Sequence, residues 1–301
     1  MLQRIYSVAD IAIIRLATII VFIAFLFLIV SFKVKNIVLT QATLQGKQIV
    51  NIAYDKESYM VQFSSRLLQT LGTVLPASAI DSGMCNNFLT SYLTMNKSYL
   101  TFAVANLQGD IVCSSLPYVG TVNIKDRRYF QQAVKTGTFS LGEYQVGRIT
   151  KAQSFNFGYP VKDENGKVQA VLINALSIDW FQNLIDTLYL PNNQWEFVIT
   201  DYNGTVLASS NKKNIGKLGV NPTIFSHVLS ASQTESNVIQ DPDGKEKLYI
   251  SKHLSEHKSS ASLYMILTAD LNKTYQKIDT IMLVSFLAIS ALFLLCLSRK
   301  T

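Results

Sequence analysis

Two runs without a single charged residue bracket this chain. Leu16 to Phe32 (LATIIVFIAFLFLIVSF) and Thr280 to Ser298 (TIMLVSFLAISALFLLCLS) hold 17 and 19 residues. At 1.5 Å per residue, each helix would cross roughly 25–30 Å of hydrocarbon. Nothing between them is as long and as apolar. The first run is too long for the core of a cleaved signal peptide, and Lys33-Val34-Lys35 follows where small residues would prepare cleavage. Both runs are therefore read as transmembrane helices, at 16–32 and 280–298. Arg4 and Arg15 precede the first, and Arg299 and Lys300 follow the second. Positive flanks stay in the cytoplasm, so the expectation is residues 1–15 and 299–301 inside, with 33–279 outside. In a Gram-negative bacterium that is an inner-membrane protein with a periplasmic domain.

Composition fits this partition. The hydrophobic set makes up 49% of the chain and charged residues only 16%, which excludes a disordered protein. The formal charge of +7 could suggest nucleic acid, but between Lys33 and Asp279 there remain 23 basic and 19 acidic residues with no dense basic run. That is a solvated surface, and no nucleic-acid partner is expected. Cys85 and Cys113 are the only cysteines in the outer part. An oxidising compartment permits a disulfide between them, the alternative being two separate buried thiols. Cys296, inside the second run, reads as an apolar residue.

The outer part repeats itself. Phe102-Ala-Val-Ala-Asn-Leu-Gln-Gly109-Asp-Ile-Val-Cys113-Ser-Ser115 aligns with Phe197-Val-Ile-Thr-Asp-Tyr-Asn-Gly204-Thr-Val-Leu-Ala208-Ser-Ser210. The offset is about 95 residues. Each half reads as strand, Gly turn, strand. The same offset lays Tyr129–Val134 over Ile224–Leu229, both helix-like. Further hairpins are expected where Asp163-Glu-Asn-Gly166 separates Ser154–Val161 from Val168–Leu176, and where Asp241-Pro-Asp-Gly244 separates Asn237–Gln240 from Lys247–Lys252. Ala261–Leu267 reads as a last strand. Val34 to about Leu75 has no Pro, and Ile49, Ile52, Ala53, Met60, Phe63, Leu67 and Leu71 recur at helical spacing. About 40 residues of helix would run ~60 Å, as a stalk continuing the first span. A second copy alongside it would make a homodimer. The fold class is therefore α+β: two stacked modules, each a small antiparallel sheet with helices, on a long N-terminal helix.

Three strings follow in order: Asp126-Arg127-Arg128-Tyr129-Phe130-Gln131-Gln132-Ala133, then Gly142-Glu143-Tyr144-Gln145-Val146-Gly147-Arg148, then Tyr159-Pro160-Val161-Lys162-Asp163-Glu164-Asn165-Gly166-Lys167-Val168. Together they resemble the membrane-distal module of double Cache sensor domains, the extracytoplasmic ligand-binding regions of bacterial chemoreceptors, sensor kinases and diguanylate cyclases. The resemblance covers roughly Val34 to Asp279. It implies two PAS-like modules, with a stalk helix at 33–78, a distal module at 79–190 and a proximal module at 191–270, and a small ligand in the distal one.

In the amino-acid-binding subset of that family a Tyr, an Arg-x-Trp-Tyr group and a later Asp hold the ligand. Here Arg127 matches the Arg, and Tyr129 and Phe130 stand for the Trp and the Tyr. Val122 falls at the early Tyr and Ala175 at about the Asp. An Arg fork holds a carboxylate bidentately, and the missing Asp would have held an ammonium group. A carboxylate without an amine, or another small anion, fits what remains. Arg127, Tyr129, Tyr144 and Arg148 are the expected ligand-binding residues: Arg127 the anchor, the two Tyr supplying ring surface and hydroxyls, Arg148 closing the mouth. Arg127 could instead pair with Asp126 or Glu143.

No cofactor and no metal are expected. His253 and His257, four apart, would suit a metal only on a helix, and they lie in a polar stretch read as a link between strands. His227 is alone. No paired acid and base or activated nucleophile suggests an enzyme. The reading is a membrane-anchored sensor that binds a small molecule outside and signals through its spans. No output region follows the second span here, so the chain is read either as the sensory part of a longer receptor or as acting through a separate output protein. The alternative is an envelope interaction protein whose outer domain binds a protein partner.

Overall fold

The computed structural model describes residues 8–75, 83–191, 193–212, 214–219, 225–226, 228–229, 234–240, 244–257 and 260–298, with side chains described from 15 to 292 apart from 255–262. Arg4, Arg299, Lys300, His227, the turn residues Asp241-Pro242-Asp243 and the side chains of His257 and Cys296 lie outside the described residues.

Helix α1, Val8–Val74, runs 67 residues without a break, on the order of 100 Å. The first apolar run and the expected stalk are thus one element. Its buried stripe carries Val50, Ala53, Val61, Leu68 and Leu71, at the three- and four-residue multiples an amphipathic helix requires. Glu57 and Ser64 interrupt that stripe and are also buried.

The chain divides into two compact units, one of residues 1–45, 238–248 and 269–301, the other of 46–237 and 249–268. In the first unit the start of α1 packs on α5, Asn272–Ser298. Phe27 meets Phe286 edge to face at 5.8 Å. Lys35 pairs with Asp279 at 2.7 Å, and Ser31 Oγ donates to the same carboxylate. Both helices contain stretches long and apolar enough to cross a membrane.

The second unit holds most of both modules. After α2 (Gly83–Met95) come β1 (Tyr99–Asn106), β2 (Ile111–Ser114), α3 (Arg128–Thr136), β3 (Ser140–Val146), β4 (Gln153–Lys162), β5 (Val168–Ser177) and α4 (Ile178–Asp186). The strands form an antiparallel sheet in the order β2-β1-β5-β4-β3. Then come β6 (Trp195–Thr200), β7 (Val206–Ser209), β8 (Glu235–Gln240), β9 (Glu246–His257) and β10 (Ser260–Asp270), ordered β7-β6-β10-β9-β8. The second order is the first repeated strand for strand. The β4–β5 turn falls where Asp163-Glu-Asn-Gly166 predicts it. Asp163 Oδ1 accepts the N–H groups of Asn165 and Lys167, and Gly166 takes a φ of 79°.

The first sheet is covered on both faces. Phe102, Leu172, Leu176, Phe155 and Phe157 are fully buried. In α1, Ser64 Oγ meets the Tyr99 hydroxyl at 2.7 Å. On the other face Ala103, Ala105, Val171 and Ile173 form a core with Tyr129, Phe130 and Ala133 of α3. Cys85 of α2 and Cys113 of β2 form the disulfide.

One expectation is corrected here. The stretch around His253 is strand, not link: β9 continues to His257. His253 is half-buried against Tyr264, with ring centroids 5.9 Å apart. In the sheet β9 lies hydrogen-bonded between β10 and β8.

Candidate functional site

A cavity of about 40 Å³ lies between the first sheet and α3. Its floor follows from strand alternation. Thr101 and Ala103 of β1 and Ile173 and Ala175 of β5 share the face that looks at α3. Ala175 sits in register between Thr101 on one neighbour and Asn156 on the other. Its single methyl leaves the room that a longer side chain would fill. Asn156 and, on β3, Gln145 complete the polar part of the floor.

The roof is the start of α3 and the loop before it, with Val122, Ile124, Arg127 and Tyr129. Tyr129 is fixed by its backbone: Ser140 Oγ donates to the Tyr129 carbonyl at 2.5 Å. Gly142 and Gly158 allow the close approach, because a Cβ on Gly142 would stand 2.9 Å from the Tyr129 ring and one on Gly158 2.7 Å from its carbonyl oxygen. Burial pushes the Tyr129 hydroxyl above its ordinary pKa, against the opposing pull of Gln145, Arg127, Asn156 and Arg148. The phenol stays neutral and can donate or accept.

Of the four expected ligand residues, the structure brings Arg127, Tyr129 and Arg148 to this cavity. Arg148 arrives with a partner, for its two terminal nitrogens bind the Asp126 carboxylate at 2.6 and 2.7 Å, and it also donates to the Asn123 carbonyl. That pairing holds the Asp126 carboxyl below its usual range. Arg127 pairs with neither Asp126 nor Glu143. Its guanidinium makes a long 3.4 Å contact to the Val146 carbonyl. No Asp or Glu lines the cavity among the described residues.

Tyr144 is a correction. It does not line the cavity. The β3–β4 register shifts between Leu141 and Tyr144, which puts Gln145 over the floor and turns Tyr144 to the second module. There its N–H donates to Asp201 Oδ2 at 3.1 Å, and its hydroxyl faces Gly216. Next to it, Glu143 accepts from the Tyr202 hydroxyl at 2.7 Å, and Arg128 lies 3.9 Å over the Tyr202 ring. Both walls of the cavity therefore alternate: Arg127, Tyr129 and Gln145 face in, while Arg128, Glu143 and Tyr144 hold the second module.

Sequence reasoning missed Thr101, Gln145 and Asn156. The signal for Gln145 was its place one residue from Tyr144, but only the shift in register decides which of the two faces inward. Val122 and Ala175, which stand where the family pattern has a Tyr and an Asp, do both line the cavity. Phe130 is buried in the core beside it. Among the described residues no cluster of three or more His, Cys, Asp or Glu could hold a metal.

The Cache domain family matches residues 34–278. This chain belongs to that family. Its fold is shared by the extracellular domain of rpHK1S-Z16, described as a histidine kinase, at a TM-score of 0.63 and 15% identity over 77% of this chain and 97% of that one. The ligand-binding domain of the Pseudomonas fluorescens chemoreceptor CtaA, solved with L-serine, matches at a TM-score of 0.58 and 13% identity, covering 75% and 96% of the two chains. In sequence, sporulation kinase D of Bacillus subtilis is 22% identical over 156 residues. That match spans 52% of this chain and 31% of the kinase, so the chain spans about a third of the length of the curated relative it matches. A Cache domain is a sensory, ligand-binding module, and the two apolar helices suit a membrane-anchored receptor of that kind.

Proposed function

We propose that this protein is a membrane-anchored sensor whose first Cache module, placed outside the cytoplasmic membrane, binds a small carboxylate and passes the event to its spans. Both termini lie in the cytoplasm, consistent with Arg4 and Arg15 before the first apolar run and Arg299 and Lys300 after the second. Output runs through a region or partner beyond the residues described.

The observation that carries the reading is the charge around the cavity. Arg127 and Arg148 line it, Asp126 forms its ion pair with Arg148, and Arg127, whose charge Asp126 also feels, forms no ion pair among the described residues. A guanidinium so placed gains most from an anion with two oxygens in its plane. The L-serine complex of CtaA supports the idea that this fold takes metabolites of a few heavy atoms. Here Ala175 offers nothing to an ammonium group, and burying that charge uncompensated would be costly. Arg127 anchors the carboxylate, Tyr129 packs over it, and Arg148 with Asp126 closes the mouth. The bound form shifts the sensor only as far as its affinity differs between the two states.

The test is a thermal-shift titration of the full chain in detergent with two- to four-carbon carboxylates. At a hundred times its dissociation constant a ligand adds ~2.7 kcal/mol of stability. The expected result is a shift with an acid, lost in Arg127→Ala, whose own ligand-free melting point stays near that of the parent. An unchanged shift in Arg127→Ala would sink the assignment.

A further inference from the structure

Gln145 is 6% exposed, lines the cavity, and its Oε1 has no hydrogen-bond partner. Buried acceptors are nearly always satisfied, and an orphan at a cavity wall is open to a donor that enters the cavity, whether water or ligand. The neighbouring polar groups are otherwise engaged. Asn156 Oδ1 accepts from Ser154 Oγ at 2.7 Å, and Thr101 Oγ1 meets Ser115 Oγ at 3.1 Å. The atom of the Gln145 amide left without a partner is its carbonyl oxygen.

We infer that the ligand is a short 2-hydroxycarboxylate, its carboxylate on Arg127 and its hydroxyl donating to Gln145 Oε1, which makes Gln145 the residue that selects the hydroxyl. This rests on the carboxylate reading above and deepens it. Three observations narrow the class. The orphan is an acceptor, so the ligand must donate. No acid among the described residues lines the cavity, so the donor is a neutral hydroxyl and not an ammonium. A space of about 40 Å³ holds only a few heavy atoms beyond the mouth, so the chain is two or three carbons long. An acid without the hydroxyl leaves the Gln145 oxygen buried and unpaired, and a site that makes such a bond rejects the analogue lacking it.

The experiment compares matched pairs by calorimetric titration of the full chain in detergent: glycolate against acetate, and L-lactate against propionate, pyruvate and L-alanine. Each pair differs only at the donor. The expected result is a ~10-fold or greater preference for the hydroxy acid within each pair, with L-lactate tighter than both pyruvate and L-alanine. In Gln145→Leu the preference of glycolate over acetate should collapse while acetate itself still binds. Acetate binding as tightly as glycolate in the parent protein would overturn this inference and leave the carboxylate reading standing. Pyruvate tighter than L-lactate would mean the amide presents its nitrogen, and L-alanine tighter than L-lactate that an ammonium is held. Either overturns it too. No binding by any of the acids would overturn the carboxylate reading itself. Because the ranking is read in the parent protein, it decides the matter even where the Gln145→Leu chain fails to fold.

Discussion

At residues 102–115 and 197–210 the two modules are built on the same hydrogen bonds. Ser115 Oγ accepts the Phe102 N–H at 2.9 Å, and Ser210 Oγ accepts the Phe197 N–H at 3.1 Å. Asn106 Oδ1 takes the N–H groups of Gln108 and Asp110, and Asp201 Oδ1 those of Asn203 and Thr205. The isolated bridges Asp110–Asn123 and Thr205–Leu218 stand at the same offset. What differs is the lining. Ala103, which lines the cavity of the first module, corresponds to Val198 of the second. Asp201 has kept the Asn106 turn and put its second oxygen on Tyr144. Frame and lining are thus separable: the turn sets the strands, and a few small or large residues decide whether a ligand fits.

The disulfide gives the largest expected difference between the halves, because only the first module has one among the described residues. It closes a loop with a sequence separation of 28, and chain entropy makes that worth ~3–4 kcal/mol. Cys85→Ser with Cys113→Ser should lower the denaturation free energy by about that amount in urea titrations. An unchanged midpoint would mean that α2 and β2 are held by packing alone.

A smaller effect separates Gly109 from Gly204. Both take a positive φ, +89° and +82°. A Cβ on Gly109 would stand 2.6 Å from the backbone nitrogen of Lys125, whereas one on Gly204 would meet the Phe225 ring at 3.2 Å. Backbone yields less than a ring edge. Gly204→Ala should cost ~1–2 kcal/mol from φ alone, and Gly109→Ala ~1 kcal/mol or more beyond that. Equal losses in chemical denaturation would show that the two turns are energetically interchangeable.

The smallest effect is the Asp126–Arg148 pair. Its pairing lowers the folded-state pKa of Asp126 below the unfolded value. The stabilisation is therefore present above the unfolded pKa of ~3.9 and lost as pH falls through the folded pKa. With both side chains partly exposed, it amounts to under ~1 kcal/mol. Melting curves from pH 6 to pH 3 should fall slightly less steeply for Asp126→Asn than for the parent.

The long helix, the hairpin turns and the offset of about 95 were legible because each is written in local spacing. Arg127 and Tyr129 were legible because they stand in one string with the helix they open. Gln145 was not, since the register shift between Leu141 and Tyr144 reverses which residues of β3 face the cavity. Asp126 was expected to compete for Arg127, but a residue 22 positions away takes it. Such pairings depend on how separate strands close, which no local pattern contains.

The strand order has a consequence for the order in which the first module can assemble. β5 is its middle strand and the last of the five in the chain, and it pairs with β1 from Tyr99–Leu176 to Asn106–Ala170. During synthesis, α2, β1, β2 and both cysteines emerge well before residue 170. Until β5 arrives, β1 and β4 each present an open edge, the state most exposed to wrong pairing. Cys85 and Cys113 can already be joined at that stage. The disulfide then acts as a placeholder, fixing one side of the sheet while the chain waits for its centre.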